Sequence, residues 1–338
     1  MRPVTVIENV TAEVFVRDIL PGRRPVLMKG LGDDWPMVQL AKQSDEAVAG
    51  YLKTVDNGRP AEIYFGLPQI KGEFFYGDTL RSFNFEKAAH PIAPVVDRIL
   101  DIRAAPNPPS VYIQSIPVED YLPQIIRDHF IDFLPPSVKP RIWIGNALRV
   151  QTHYDLSSNI AMLVAGRRRF TLFPPEQLPN LYVGPFEHTL AGPPVSLASL
   201  ESPDFERHPR FREALDAAQY ADLEPGDAVY VPYAWWHHVR SFEPFNILVN
   251  YWWNDTPTPF GSPYDTLLHA ILNLRDLPAE QRDVWKTMFD YYVFGQHGDP
   301  VAHIRPEDQG ALGAMTPEKQ KEMHRLMVAG MSRAVDPT

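Results

Sequence analysis

Short apolar segments separated by turn residues dominate the middle of the chain. They lie at 141–150, 159–165, 168–173, 228–231, 236–240 and 246–253. Helices of 10–15 residues do not alternate with these segments, which excludes a doubly wound parallel sheet and predicts an antiparallel sandwich or barrel. The stretch 176–222 interrupts the strands as a long insertion, with a helical piece near 209–219. Loops of this length in compact domains are usually functional.

The residues before this region are predicted to mix short strands with helices. Ser44 is expected to cap a helix over 44–53. The segments 61–65 and 72–76 are expected to form a β-hairpin around the turn at 66–68. Aromatic residues are concentrated at 64–85, and we interpret them as core or as the wall of a cavity.

After Pro257 the pattern changes from strands to amphipathic helices. Apolar residues recur at helical spacing in three stripes, which are Tyr264, Leu267, Leu268, Ile271 and Leu272; Val284, Trp285, Met288, Phe289 and Tyr292; and Met323, Leu326, Met327 and Met331. Such stripes are most often packing faces. Because the predicted sheet is already complete, it leaves no obvious surface for three helices to cover. A contact between subunits is therefore a hypothesis for these stripes. The chain therefore divides into the predicted parts 1–110, 111–256 and 257–338.

Composition narrows the class of protein. The 338 residues are 44% hydrophobic and 22% charged, which is typical of a globular protein with a large core. The net charge of −10 argues against binding nucleic acid by bulk electrostatics. The absence of cysteine excludes disulfides, thiolate metal sites and a cysteine nucleophile. The sequence contains no stretch of 18 apolar residues, so no membrane span is predicted. The expectation is a cytoplasmic protein with neither nucleic acid nor membrane as a partner.

His153 and Asp155 are the first candidates for chemistry. Residues two apart in a β-strand point to the same face, and an imidazole and a carboxylate in one cavity are two ligands of a facial Fe(II) site. An isolated His-x-Asp pair more often forms hydrogen bonds within its own surface loop than binds a metal ion. A second histidine is therefore needed, and the WWHH sequence offers His237 and His238. Alternation sends these two to opposite faces, and periodicity alone does not say which one shares the cavity.

Six motifs in order give the chain a specific resemblance. They are HYD at 153–155, GRRRFTLFPPEQL, SPDFERHPRF, LEPGDAVYVP, WWHHV and VNYWW. With them the chain resembles the JmjC/cupin-like (cupin 8) Fe(II)/2-oxoglutarate-dependent oxygenases, including asparaginyl hydroxylases, from about Tyr112 to Trp253. The resemblance implies a mainly β protein: a double-stranded β-helix (jelly roll) over 111–256, with N-terminal α/β elements and a C-terminal helical extension. It also implies that this extension forms a homodimer.

The resemblance also implies a set of site residues. Fe(II) would be bound by His153, Asp155 and His238, the second histidine of WWHHV. The cosubstrates would be 2-oxoglutarate and O2, with Arg168 in place of the family lysine as the counter-ion of 2-oxoglutarate. The other implied residues are Tyr112, Asn159, Asn250 and Trp252 for the cosubstrate and metal surroundings, and Gln114 and Arg207 for the substrate side. Val150 replaces a family threonine, so one hydrogen bond to the cosubstrate has to come from Thr152 or another group.

The predicted function is hydroxylation of a protein side chain or a small molecule, coupled to decarboxylation of 2-oxoglutarate. One alternative is a cupin-type metalloprotein that uses Zn or Mn without 2-oxoglutarate. Arg168 and Tyr112 argue against it, because such a protein needs no buried carboxylate clamp. Another alternative is a binding module without turnover, against which the intact metal triad argues. The insertion 176–222 and the aromatic segment 64–85 are expected to border the opening of the site.

Overall fold

The structure, a computed structural model, describes residues 1–190, 192–254 and 261–335. The chain forms two compact units, Met1–Asp255 and Thr256–Thr338. The boundary expected between 256 and 257 lies outside the described residues, and the division at 110 stays a prediction.

The elements of the first unit are mainly strands. The strands are β1 (Arg2–Pro3), β2 (Thr5–Glu8), β3 (Val26–Lys29), β4 (Ala61–Gly66), β5 (Glu73–Phe74), β6 (Phe85–His90), β7 (Ser110–Pro117), β8 (Pro140–Gly145), β9 (Arg149–Tyr154), β10 (Ser158–Ala165), β11 (Arg168–Phe173), β12 (Gln219–Leu223), β13 (Ala228–Val231), β14 (Trp236–Ser241) and β15 (Asn246–Trp253). The α-helices are α1 (Ala12–Val14), α2 (Pro36–Ala41), α3 (Asp45–Val55), α4 (Ile92–Ile102), α5 (Val118–Tyr121) and α6 (Phe211–Ala217). Shorter helical turns lie at Phe15–Ile19, Leu20–Gly22, Pro68–Ile70, Pro123–Arg127 and Pro175–Asn180.

The second unit is helical in its described part. Its α-helices are α7 (Pro263–Leu274), α8 (Ala279–Tyr292) and α9 (Pro317–Val335), with 3-10 turns at Pro306–Asp308 and Gly310–Leu312. The three helices coincide with the three apolar stripes of the sequence, so the prediction of helices after residue 257 is confirmed.

Two sheets form the framework of the first unit. The smaller sheet has the strand order β1-β12-β11-β14-β9-β5, and the larger has the order β2-β3-β13-β10-β15-β8-β7-β4-β6. Strands β8 to β15 contribute four strands to each sheet, and their pairings within the sheets are antiparallel. This arrangement confirms the expected double-stranded β-helix.

Strand β10 shows why the core has two layers. All eight of its residues are buried, which is expected for a strand covered on both faces. Ala161 and Leu163 belong to the apolar cluster between the two sheets. Ile160 and Met162 belong to the cluster on the other face, together with residues of α2, α3 and α4. The inner layer is therefore the place where a cavity can be enclosed by both sheets.

Two local predictions had different outcomes. The helix expected after Ser44 is confirmed as α3, and the Ser44 hydroxyl accepts a hydrogen bond of 3.1 Å from the Ala47 backbone N–H. The expected hairpin of 61–65 with 72–76 is wrong. Strand β4 pairs instead with β6 and β7, and β5 pairs in parallel with β9. The two residues of β5 are too few to specify a partner by their own pattern, so long-range contacts decide the pairing.

Candidate active site

Strands β9 and β14 bring three candidate metal ligands together. His153 lies directly opposite His237 in the antiparallel pairing, so the two side chains share one face. Asp155 follows the end of β9, and its Oδ2 lies 3.6 Å from His237 Nε2. The ligand atoms of His153, Asp155 and His237 all lie within 4.8 Å of one another. Two imidazoles and one carboxylate at this spacing are the donor set of a facial metal site.

The expectation that His238 is the third member of this group is wrong. His238 lies opposite Thr171 of β11, and it is absent from the residues that line the cavity next to His153. Adjacent residues of β14 point to opposite faces, so the choice of His237 for the cavity excludes His238. Both histidines are buried.

A β-bulge sets the direction of His153. Between two paired positions, β14 has one residue, whereas β9 has the two residues Gln151 and Thr152. A bulge of this kind re-aims the side chains that follow it. Arg149, Val150, Gln151 and His153 of this strand line the cavity, whereas Thr152 does not. Thr152 is therefore not in place to supply the hydrogen bond of the family threonine.

The two cavity histidines are held in the same way. His153 Nδ1 lies 2.7 Å from the carbonyl oxygen of Gln151, and His237 Nδ1 lies 3.0 Å from that of Trp235. A carbonyl oxygen can only accept, so Nδ1 carries the proton in both rings and Nε2 keeps its lone pair. Fixing the tautomer through Nδ1 is how proteins orient histidine ligands.

Electrostatics favour neutral imidazoles at this site. Burial lowers the pKa of His237 to about 4, with a further contribution from the neighbouring His153, while Asp155 acts in the opposite direction. The ring of His237 is therefore neutral at physiological pH. Neutral imidazole is the form that binds a metal ion.

These ligands open into a cavity of about 610 Å³ between the two sheets. Its apolar wall includes the aromatic residues Tyr64, Phe74, Phe85, Trp143 and Trp252. The insertion contributes Leu190, Pro193 and Val195, and Val195 forms an isolated β-bridge with His153. The insertion and the aromatic segment 64–85 therefore both border the site, as the sequence indicated.

Arg168 is buried in this cavity without a counter-ion. Its side chain is 1% exposed, and its Nε and Nη2 have no hydrogen-bond partner among the described residues. No carboxylate of the described ranges forms an ion pair with it. A buried charge normally requires a partner, because desolvation costs several kcal/mol. The guanidinium is thus arranged for an anion from outside the chain.

Tyr112 lies beside this guanidinium. Burial raises the pKa of the Tyr112 hydroxyl to about 12, although the neighbouring Arg168 lowers it. The hydroxyl therefore stays protonated at neutral pH and can donate a hydrogen bond. Gly145, paired with Tyr112 across β7 and β8, makes room for the ring. A Cβ at Gly145 would lie 2.9 Å from a carbon of that ring.

The remaining predicted residues fall into two groups. Asn250, Trp252 and Gln114 line the cavity. Asn159 lies opposite Trp252 on the same face of the larger sheet, although it is not part of the lining. Arg207 is not among the residues that line the cavity; it is exposed in a turn in which its backbone N–H donates to Asp204 Oδ1.

Buried polar atoms without a partner are concentrated around this cavity. Besides those of Arg168 they include both amide atoms of Asn159, Asn250 Oδ1, Trp252 Nε1 and Gln151 Oε1. Buried polar groups in folded proteins are almost always satisfied, so a cluster of exceptions needs an explanation. Groups supplied by a bound metal, cosubstrate or substrate would explain it.

Two arginines of the cavity were missed by the sequence reasoning. Arg141 and Arg149 both line it. Arg141 lies two residues before Trp143 in β8, so strand alternation applied to that segment would have found it. Arg149 lies four residues before His153 in β9, so alternation counted back from His153 would have found it as well.

Comparison with known proteins identifies the family. The Cupin-like domain family (Cupin_8) matches residues 11–259, and the chain belongs to it. Its JmjC-type relatives are consistent with the JmjC/cupin 2-oxoglutarate oxygenases. They include lysine-specific demethylase JMJ31 of Arabidopsis thaliana, 32% identical over 159 residues, or 44% of this chain and 28% of the relative. HSPB1-associated protein 1 of Homo sapiens is 38% identical over 116 residues, or 33% of this chain and 22% of the relative.

A further relative aligns over most of both chains. tRNA wybutosine-synthesizing protein 5 of Gallus gallus is 27% identical over 313 residues, which is 82% of this chain and 90% of the relative. Together, the family and the triad indicate an oxygenase-type enzyme with a candidate His-Asp-His metal site. None of the described helices is both long and apolar enough to cross a membrane.

Proposed function

We propose that the protein is an Fe(II)- and 2-oxoglutarate-dependent oxygenase that hydroxylates its substrate. The observation that carries the proposal is the combination of a facial triad and an unpaired buried arginine in one cavity. The triad alone would also suit a metalloprotein of another type. Arg168 favours the oxygenase, because a counter-ion buried at this depth needs an anionic cosubstrate.

Fe(II) fits the donor set of His153, Asp155 and His237. Two neutral imidazoles and one carboxylate on one side of the ion leave positions open for other ligands, as non-haem oxygenases require. Both imidazoles direct Nε2 toward the shared space because their Nδ1 protons are bonded to backbone carbonyls. When bound, the iron would supply the oxidising chemistry that couples 2-oxoglutarate decarboxylation to C–H hydroxylation with O2.

2-Oxoglutarate fits the deeper part of the cavity. Arginine binds a carboxylate with two parallel N–H donors, and Arg168 keeps Nε and Nη2 free for this. The protonated hydroxyl of Tyr112 can donate to the same carboxylate. The amides of Asn159 and Asn250, the indole N–H of Trp252 and the amide of Gln114 would complete the polar surroundings of the metal and its ligands.

The test is spectroscopic. Under anaerobic conditions, Fe(II) and 2-oxoglutarate together should give a weak visible metal-to-ligand charge-transfer band, and His153→Ala should remove it. No band in the wild-type protein at any concentration of the two components would contradict the proposal. A band with 2-oxoglutarate but no formation of succinate and CO2 in air would point to a binding module without turnover.

The names of the relatives do not agree on a substrate, since one names tRNA and another lysine. The proposal is therefore made at the level of the reaction. Mass spectrometry should find a product heavier by one oxygen atom, about 16 Da, on the substrate. Peptides and small molecules are the first panel, and a tRNA panel tests the substrate class that the name of the Gallus gallus relative suggests.

A further inference from the structure

Three arginines line the cavity, and they differ in their partners. Arg149 is neutralised by Glu73 and Glu201, with N–O distances of 4.0 and 3.8 Å. Arg168 is assigned to the cosubstrate by the proposed function. Arg141 forms no ion pair among the described residues and has no assigned role. A half-buried cation without a counter-ion in an aromatic cavity needs an explanation.

The position of Arg141 is fixed by the backbone of β7. Its Nε donates to Ser115 Oγ at 2.9 Å, and its Nη2 donates to the Ser115 carbonyl oxygen. Ser115 lies at an irregularity of β7 and has a φ of 54°, in the left-handed region. A guanidinium has five N–H donors, so these two bonds hold it in place and leave three donors for a ligand.

Arg141 and Arg168 reach the cavity from different sheets, on β8 and β11. Gly145 of β8 pairs with Tyr112, the residue beside Arg168. Arg141 lies four residues from Gly145, which is about 13 Å at the rise of a β-strand. It pairs instead with Asn250, another residue of the cavity lining. The cavity therefore has two separate cationic positions.

The surroundings of Arg141 strengthen its attraction for an anion. Its guanidinium carbon lies 5.9 Å from the centre of the Trp252 ring, and Trp143 packs edge-on against Trp252 with ring centres 5.4 Å apart. Burial lowers the pKa of Arg141, and Asp120 acts in the opposite direction. Charge interactions gain strength where such aromatic walls exclude water.

We infer that Arg141 recognises a carboxylate or phosphate group of the substrate. The inference rests on the proposed function, because it takes Arg168 as the partner of the cosubstrate. The planar fork of an arginine binds either group with two hydrogen bonds. The substrate would thus carry an anionic group that Arg141 binds separately from the cosubstrate carboxylate held by Arg168.

The experiment measures anion binding to metal-free protein by calorimetry. Inorganic phosphate and acetate are titrated separately, so that the tighter-binding anion distinguishes a phosphate-bearing from a carboxylate-bearing substrate. The variants are Arg141→Gln, Arg168→Gln and, as the ion-paired control in the same cavity, Arg149→Gln. A charged hydrogen-bonded contact contributes about 1.5–3 kcal/mol. R141Q should therefore weaken the binding of the tighter anion at the Arg141 position, the second anion site of the cavity, at least about tenfold. That site should persist in R168Q and R149Q.

Unchanged anion affinity in R141Q, or no saturable binding that survives R168Q, would overturn the inference. If R141Q does not fold, Arg141→Lys decides: it keeps the charge but loses the fork, so anion affinity should fall several-fold, and unchanged affinity would overturn the inference. Failure of the proposed function gives a different result, because it removes the charge-transfer band with Fe(II) and 2-oxoglutarate and leaves phosphate binding intact.

Discussion

At the scale of single residues, the choice between His237 and His238 shows the limit of sequence reasoning. Alternation correctly places the two histidines on opposite faces, but it gives no absolute phase for the strand. That phase comes from the pairing of β14 with β9, where His237 meets His153. The resemblance favoured the neighbouring residue, and only the register of the two strands decides between them.

The first prediction separates these two histidines. His237→Ala should lower Fe(II) affinity at least about 100-fold, because loss of a ligand exceeds the 10–100-fold effect typical of residues behind the ligands. His238→Ala should retain the charge-transfer band, since His238 faces away from the cavity. Fe(II) titration and visible spectroscopy measure both effects. Loss of the band in H238A with retention in H237A would restore the original assignment.

The second prediction concerns Arg168. Arg168→Gln should weaken 2-oxoglutarate binding by about 10–100-fold, because a charged hydrogen-bonded contact is worth about 1.5–3 kcal/mol. Fe(II) binding should not change. Arg168→Lys, which introduces the family residue, should fall between R168Q and the wild type. The matched control is Arg169→Gln: Arg169 neighbours Arg168 but pairs with the exposed Asp222 at 2.6 Å. Equal 2-oxoglutarate affinity in R168Q and R169Q would contradict the assigned clamp.

At the scale of elements, the sequence predicts which segments are strands better than it predicts their partners. Each expected strand from 159 to 253 is present because its own alternation or apolar run defines it. The segment 141–150 is instead divided into β8 and β9. Strand β12, within the expected insertion, and the partners of β4 and β5 depend on residues far away in the chain. The bulge of β9 belongs to this group as well, because it exists only relative to β14.

A buried histidine links several of these elements and predicts an effect of pH on stability. His129 Nε2 accepts from the Met37 backbone N–H at 3.0 Å, and its Nδ1 donates to the Ile125 carbonyl at 2.8 Å. Only the neutral ring can make both bonds. Burial lowers the pKa of His129 in the folded protein, so the unfolded chain binds a proton first as the pH falls.

The third prediction follows from this sign. The stabilisation by neutral His129 should be complete above the unfolded pKa of about 6.5 and decline below it, by at most about 1.4 kcal/mol per pH unit. His129→Gln can replace both hydrogen bonds without titrating. The unfolding free energy of the wild type minus that of H129Q, measured by denaturant titration from pH 7.5 to 5, should therefore decrease as the pH falls. A free-energy difference that does not change with pH would contradict the conclusion that His129 is neutral in the folded protein.

At the scale of the whole molecule, the two units differ in how much they bury. The first unit has apolar clusters on both sides of its larger sheet. In the second unit no residue of α7 or α8 is buried. Its exposed apolar side chains include Leu267, Leu268, Leu272, Val284, Trp285, Met288, Tyr292, Leu326, Met327 and Met331. A unit of this size is hard to stabilise without a core, and large exposed apolar surfaces mark interaction sites.

The fourth prediction is that these helices join two copies of the chain into a homodimer. A second copy presents the same apolar stripes, and self-complementary contact is the commonest form of assembly among soluble oligomers. Light scattering should give twice the chain mass of 38.5 kDa. Leu272→Glu combined with Leu326→Glu should yield monomers, because charges would be buried in the contact. Leu67→Glu is the control: Leu67 is 71% exposed in the first unit, and its substitution should leave the dimer intact. A wild-type monomer at all concentrations would require another partner for these helices.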